Sequence, residues 1–172
     1  MTGAELKALQ APLKDKYKQS PEAALVTLHA VGHVNADDVT CRIERREGSA
    51  VAGLHPATGG SGAELCSGDM LLEALVACAG VTLKAVATAM EIPLRAGTIR
   101  AEGDLDFRGT LGVDKTVPVG FRAIRLTFQV ETDAPQDKLD LLLKLTERYC
   151  VVFQSLNSRP ALSATIQRTI AG

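Results

Sequence analysis

Two cysteines stand where chemistry could be done. Cys78 lies inside the small-residue apolar run Glu73-Ala-Leu-Val-Ala-Cys-Ala-Gly-Val-Thr-Leu-Lys84, and Cys150 ends the leucine-rich run Leu139 to Tyr149. Neither sits in a CxxC pair or has a histidine close in sequence, which argues against a metal site built from local spacing. Thiol redox chemistry is the use open to such a pair. The competing reading is two inert core thiols, because free cysteine is among the most buried residue types. A thiol attacks only as thiolate, and burial in an apolar helix raises its pKa above the usual ~8.5, so Cys78 needs help to react. Being mid-helix, it gains nothing from the start of its own helix, whose field fades within the first turn. A guanidinium from another segment is the natural supplier, since it stays charged when desolvated.

The remaining candidates read more plainly. Cys41 alternates with Val39 and Ile43 in a strand pattern and is expected in the core, while Cys66 precedes a helix. His29 and His33 have HxxxH spacing, but in a strand four residues span ~13 Å, too far to share a metal. His55 stands alone, and the glycine loop 59–62 lacks the Lys-Ser/Thr of a phosphate-binding loop. No metal or cofactor is expected.

Composition narrows the class. With 172 residues, 46% of them hydrophobic and 23% charged, the chain is long enough for one domain with its own core. Nineteen basic and 20 acidic residues give a net charge of −1, and no basic cluster exceeds Arg45-Arg46. Together with 3% aromatics and no tryptophan, this argues against a nucleic-acid partner. The N-terminus carries Glu5, Lys7, Lys14, Asp15, Lys16 and Lys18 with no signal-like apolar stretch, and the uncharged run Ala74 to Leu83 falls short of the ~20 residues that cross a bilayer. The expected setting is cytoplasmic and away from membranes, with reduced cysteines.

The elements that must position the thiols follow from periodicity. Leu6, Leu9, Leu13 and Tyr17 predict an amphipathic helix over 4–19, with Pro12 inside it and Pro21 closing it; residues 1–22 form this N-terminal unit and 23–172 the main domain. Strands are predicted at Val26 to Val34, Val39 to Arg46 and Ser49 to Leu54, with a turn at Asn35 to Asp38. From about Asp69 to Met90 the residues are apolar or small on every side, which predicts a helix buried all round. Ile99 to Phe107 and Phe121 to Glu131 alternate as strands with one dry face. A second helix is expected near Asp133, with Asp133 as cap and Gln136 in a capping box, carrying Leu139, Leu142 and Leu143 and, if it persists, placing Cys150 on the face of Leu143. Leu162 to Ile170 alternates as a last strand. Hairpins grouped around two helices make the fold class α+β with a mainly antiparallel sheet.

Two stretches resemble the OsmC/Ohr family of thiol-dependent peroxidases. Ser67-Gly-Asp-Met-Leu-Leu-Glu-Ala-Leu-Val-Ala-Cys-Ala-Gly-Val-Thr-Leu83 is similar to the family's central cysteine helix, and Glu147-Arg-Tyr-Cys-Val-Val-Phe-Gln-Ser-Leu156 to the helix bearing its second cysteine. The resemblance runs from about residue 25 to the end and makes 23–172 an OsmC-like domain. It implies a homodimer whose sheets wrap the buried cysteine helices, with Cys78 as the peroxidatic thiol and Cys150 as the resolving one. Organic hydroperoxides would be reduced to alcohols through a Cys78 sulfenic acid and a Cys78–Cys150 disulfide, reset by an external dithiol. Family members draw an activating arginine from the N-terminal strands, and Arg42, on the strand face opposite Cys41, is the first candidate, ahead of Arg45 and Arg46. Asp69 is the family-aligned carboxylate to hold it, although nine residues of regular helix put Asp69 ~13 Å from Cys78. Leu71, Leu72, Leu75, Leu142, Leu143 and Phe153 are the expected apolar lining. Asp69 in place of the family's usual glutamate, and Val151 where a proline often follows the second cysteine, motivate a second reading: a non-enzymatic small-ligand binder or structural dimer.

Overall fold

A computed structural model describes residues 1–168. Helix α1, Gly3–Gln19, opens on a capping box in which Thr2 and Glu5 each accept the other's backbone N–H through their side chains. Pro12 does not break it; Ala8, whose carbonyl loses its helical donor to the proline, is exposed to water. After a 3-10 turn at Pro21–Ala24 come strands β1 (Gly32–Val34), β2 (Cys41–Glu44), β3 (Ser49–Gly53) and β4 (Leu65–Cys66). Helix α2 follows at Ser67–Ala89, then β5 (Ala96–Asp104), the single turn α3 (Phe107–Thr110), β6 (Ala123–Glu131), α4 (Gln136–Tyr149) and α5 (Val151–Asn157).

The class is α+β as the sequence predicts, but the strands form two sheets. One has the order β1-β2-β3-β4, antiparallel except for the parallel β3–β4 pair; the other is the antiparallel pair β5-β6, in register from Ala96 opposite Glu131 to Asp104 opposite Ala123. In the second sheet Ile99 and Ala101 of β5, with Ile124, Leu126, Phe128 and Val130 of β6, turn inward, as their alternation requires.

α2 packs against β5, α4 and α5 through a stripe at every fourth residue: Leu75, Ala79, Leu83 and Ala87. Leu83 and Ala87 join Ile92 and Leu142 in one core cluster, and Leu75 and Ala79 join Cys150 in another. The expectation of burial all round is corrected: within one chain only this stripe is fully buried, and Val81 on another face is 73% exposed. By length and composition alone α2 could cross a membrane.

Three further expectations change. The strand predicted over Val26 to Val34 forms only at Gly32–Val34, leaving Leu25, Val26 and Leu28 exposed with no strand to pair with. Leu162 and Ile166 are exposed and carry no strand, and Thr169 and Ile170 lie outside the described residues. Asp133 does not cap α4. Its carboxylate takes two hydrogen bonds from the Arg95 guanidinium, at 2.6 and 2.7 Å, and Pro135 occupies the cap position. The chain exposes 13,189 Å², where a compact monomer of 18.2 kDa would expose about 8,100 Å².

Candidate active site

The site is built where α4 stops. Leu142 and Thr146 share the buried face of α4 with Cys150, one turn apart each, and the Thr146 hydroxyl donates to the Leu142 carbonyl at 2.8 Å. At Cys150 the backbone leaves the helical region, with φ −74° and ψ 109°, ahead of the β-branched pair Val151 and Val152. Cys150 still gives its N–H to Thr146, and its carbonyl accepts from Gln154 to start α5. The Gln154 side chain reaches back to the Glu147 carbonyl at 2.8 Å, fastening one helix to the other. The expected continuous helix, with Cys150 on the face of Leu143, is therefore corrected: Leu142 is the buried neighbour, Leu143 is largely exposed, and Cys150 is a junction residue.

A helix start leaves its first N–H groups without helical acceptors. Here those of Val151, Val152 and Phe153 face two sulfurs. Cys78, half-buried on α2, is pushed up by burial, but the Val152 N–H, the Cys150 thiol, the Val151 N–H and the Thr82 hydroxyl together outweigh this and hold its pKa below the ordinary thiol value. Cys150 goes the other way. Burial raises its pKa, the Phe153 N–H opposes this, and the Cys78 sulfur beside it, as acceptor and as charge, raises it further. Cys150 is only 1% exposed. The arrangement is thus asymmetric: of the two thiols Cys78 is the more acidic, and Cys150 donates to its sulfur. No disulfide joins the two cysteines.

The structure brings together Cys78 and Cys150 of the predicted site residues, and leaves Arg42 and Asp69 elsewhere within the chain. Arg42 is exposed on β2, between His33 and Val51 in register, and is not among the groups acting on Cys78. Asp69 is exposed in the first turn of α2, where it lines a small cleft with His55, Cys66, Leu72 and Phe107. The predicted apolar lining divides. Leu71, Leu75 and Phe153 line one groove of about 510 Å³, while Leu142, Leu143 and Phe153 line another of about 510 Å³.

The donors at the junction are what sequence reasoning missed. Thr82 was within reach of it, being one turn beyond Cys78 on the same helix face. The Val151 and Val152 N–H groups carried no side-chain signal, only the β-branched pair after Cys150. Cys41, His33 and His55 are engaged in the fold. A Cβ on Gly32 would lie 2.8 Å from the Cys41 sulfur, His33 Nε2 is 2.7 Å from Glu44 Oε1, and His55 stacks on Phe107. Among the described residues no group of three or more histidine, cysteine or carboxylate side chains could hold a metal.

Comparison with known proteins gives a consistent outcome. The family described as OsmC-like protein matches residues 60–165. Solved structures of similar fold include an OsmC-like protein from Mycoplasma pneumoniae, with TM-score 0.64 and 16% identity over 78% of this chain and 89% of that one. An organic hydroperoxide resistance protein OsmC from Legionella pneumophila superposes with TM-score 0.61 and 18% identity, over 78% and 92% of the two chains. One from Elizabethkingia anophelis gives 0.61 and 13%, over 79% and 91%. Curated proteins yield no significant sequence match.

Proposed function

The chain belongs to the OsmC-like protein family, a redox-related family, and we propose that it is a thiol peroxidase that reduces organic hydroperoxides. The observation that carries the reading is the shared junction, which lowers the pKa of Cys78 and raises that of its neighbour Cys150. Two inert core thiols have no need of such a difference. The Cys78 thiolate attacks the outer oxygen of ROOH, an S–O bond forms as the O–O bond breaks to leave a sulfenic acid, and the departing alkoxide takes a proton from water and leaves as ROH. The Cys78 sulfenic acid then condenses with the Cys150 thiol; water leaves and a disulfide forms. An external dithiol reduces that disulfide and is itself oxidised. The grooves on either side of Phe153 are lined mainly by apolar side chains, which favours an organic peroxide over hydrogen peroxide.

The working unit is a homodimer. In support, the chain exposes about 5,000 Å² more than a compact monomer of its mass, more than the roughly 1,000–2,500 Å² that each partner gives to an obligate interface. The longest run of exposed large apolar residues is on the N-terminal segment, Leu25, Val26, Leu28, Val31, Val34 and Val39, and α2 adds Val81. The sheet β1–β4 stands off its own core, so in a dimer Arg42 is a cation that one chain can offer to the partner's Cys78. Asp69 would anchor such an arginine. A cytoplasmic setting, in which dithiol reductants keep both thiols reduced, fits this cycle.

Dithiothreitol-dependent consumption of cumene hydroperoxide tests the function. It should survive Cys41→Ser and vanish in Cys78→Ser. Retention of activity in Cys78→Ser would overturn the assignment.

A further inference from the structure

The Cys78–Cys150 disulfide of the proposed cycle offers the external dithiol two sulfurs, and the fold treats them differently. Thiol–disulfide exchange needs the incoming thiolate in line with the S–S bond, on the far side of the sulfur attacked, so access to that side decides which sulfur reacts. Cys150 is 1% exposed and belongs to the core cluster of Leu75 and Ala79, against which Ile99, Ala101 and Leu126 of the second sheet pack. Cys78 covers one side of it, so the line of attack on Cys150 runs through packed core. Cys78 is only half-buried on α2, and the line of attack on its sulfur comes from the side away from that core. Joining two chains can only cover Cys150 further, whereas an opening at Cys78 wide enough for a hydroperoxide also admits a thiolate.

Acidity alone pulls the other way. Attack on Cys150 would release Cys78, the more acidic thiol, and a thiol of lower pKa leaves faster. The exchange itself reduces that handicap. Burial raises the Cys150 pKa, and the Cys78 sulfur raises it further as acceptor and as charge; the influence of Cys78 ends once it is held in a mixed disulfide, while the Phe153 and Val152 N–H groups remain to receive the departing Cys150 sulfur. Access therefore decides between the two sulfurs, and it favours Cys78.

We infer that the reductant attacks the disulfide at Cys78, so that the mixed disulfide of the reset step forms on the same cysteine that meets the peroxide and Cys150 never carries the reductant. The inference rests on the disulfide of the peroxidase reading. One thiolate of the dithiol bonds to the Cys78 sulfur; the Cys78–Cys150 bond breaks, and its electron pair passes to Cys150, which takes up a proton. The second thiol loses its proton and attacks the reductant sulfur attached to Cys78, closing the reductant's own disulfide and expelling Cys78 as thiolate. Two electrons have passed from the dithiol to the protein, and both cysteines are free again. In this order the groups that make Cys78 acidic act twice, first in the attack on the peroxide and then in the release of the oxidised reductant.

The test needs no peroxide. The full-length protein is oxidised with diamide, its remaining thiols are blocked with iodoacetamide, and glutathione is added in excess for increasing times. Samples are quenched with N-ethylmaleimide in denaturant, and peptide mass mapping reads each cysteine. In the earliest samples glutathione should sit on the Cys78 peptide and N-ethylmaleimide on the Cys150 peptide. Glutathione first on Cys150, or on both cysteines in equal amounts, overturns the inference. Diamide-treated protein with no Cys78–Cys150 disulfide overturns it as well, and removes the resolving step from the proposed cycle. Glutathione on Cys78 in a protein that consumes no cumene hydroperoxide would leave the inference standing and reject the peroxidase reading.

Discussion

Replacing Val151 with proline removes one donor from Cys78 and little else. Val151 is 68% exposed, so its side chain contributes little packing. It is the first residue of α5, where proline's fixed φ suits the helix and its missing N–H is not needed by the helix. The preceding Cys150 is already in the extended region that a following proline demands. What is lost is one N–H directed at the thiolate. A hydrogen bond to a charged group contributes about 1.5–3 kcal/mol, and Val152 and Cys150 act more strongly on Cys78 than Val151 does, so the lower end applies. About 1.4 kcal/mol is a tenfold fall in the acid dissociation constant of Cys78. A more basic thiolate is a better nucleophile, by about threefold for that change at a Brønsted coefficient of 0.4–0.5. Hence Val151→Pro should react with cumene hydroperoxide about three times more slowly at pH values below the Cys78 titration, and about three times faster on the alkaline plateau, the two rate profiles crossing between. Stopped-flow measurement of the first oxidation step across pH 5 to 10, with thiolate absorbance at 240 nm recorded in parallel, reads both limbs. Superimposable profiles, or a variant slower by the same factor at every pH, would refute the claim that the α5 N–H groups set the acidity of Cys78.

Three other outcomes follow from the same structure. Thr82→Val removes the weakest of the favourable groups at Cys78, so the midpoint of thiolate formation should rise by less than in Val151→Pro, read from the same absorbance titration. Leu28→Asp places a charge on a residue that is 86% exposed in the single chain; sedimentation velocity should show a dimer shifted to monomer, and an unchanged dimer would remove this segment from the interface. Leu142→Ala empties part of the core beneath the junction and should lower unfolding free energy by about 2–5 kcal/mol in urea.

The helices and the long strands were legible because each satisfies its period within the chain. α2 runs Ser67–Ala89, close to the predicted Asp69 to Met90, and β5 and β6 alternate as read. What failed is instructive about where the signal resides. Val26 to Val34 reads as a strand, yet most of it is unpaired here: its β-branched residues specify a pleated, half-buried surface that one chain does not provide. Asp133 reads as a cap because local spacing cannot show that Arg95, from the start of the β5–β6 pair, competes for its carboxylate. α2 reads as buried all round because small and apolar residues occupy all its faces, whereas packing within the chain fully buries only the Leu75, Ala79, Leu83 and Ala87 stripe.

The junction explains why a cysteine deep in an apolar helix can still be acidic. Mid-helix, Cys78 has every neighbouring backbone N–H committed to a helical carbonyl, so its own helix offers it nothing. A guanidinium from a distant strand is one answer to that problem. The structure gives another within the chain: a second helix is broken at Cys150, and the break sets free N–H groups of Val151 and Val152 beside the sulfur on α2. A proline at position 151 would supply one donor fewer. The valine that departs from the family's usual residue is therefore a gain in thiolate stabilisation, and it weakens the case for a binder that has lost its chemistry. In the proposed cycle the same break also sets the order of events. The Phe153 N–H and the Cys78 charge act in opposite senses on Cys150, and burial decides for the protonated form, so Cys150 stays a thiol until Cys78 has been oxidised and its negative charge has gone.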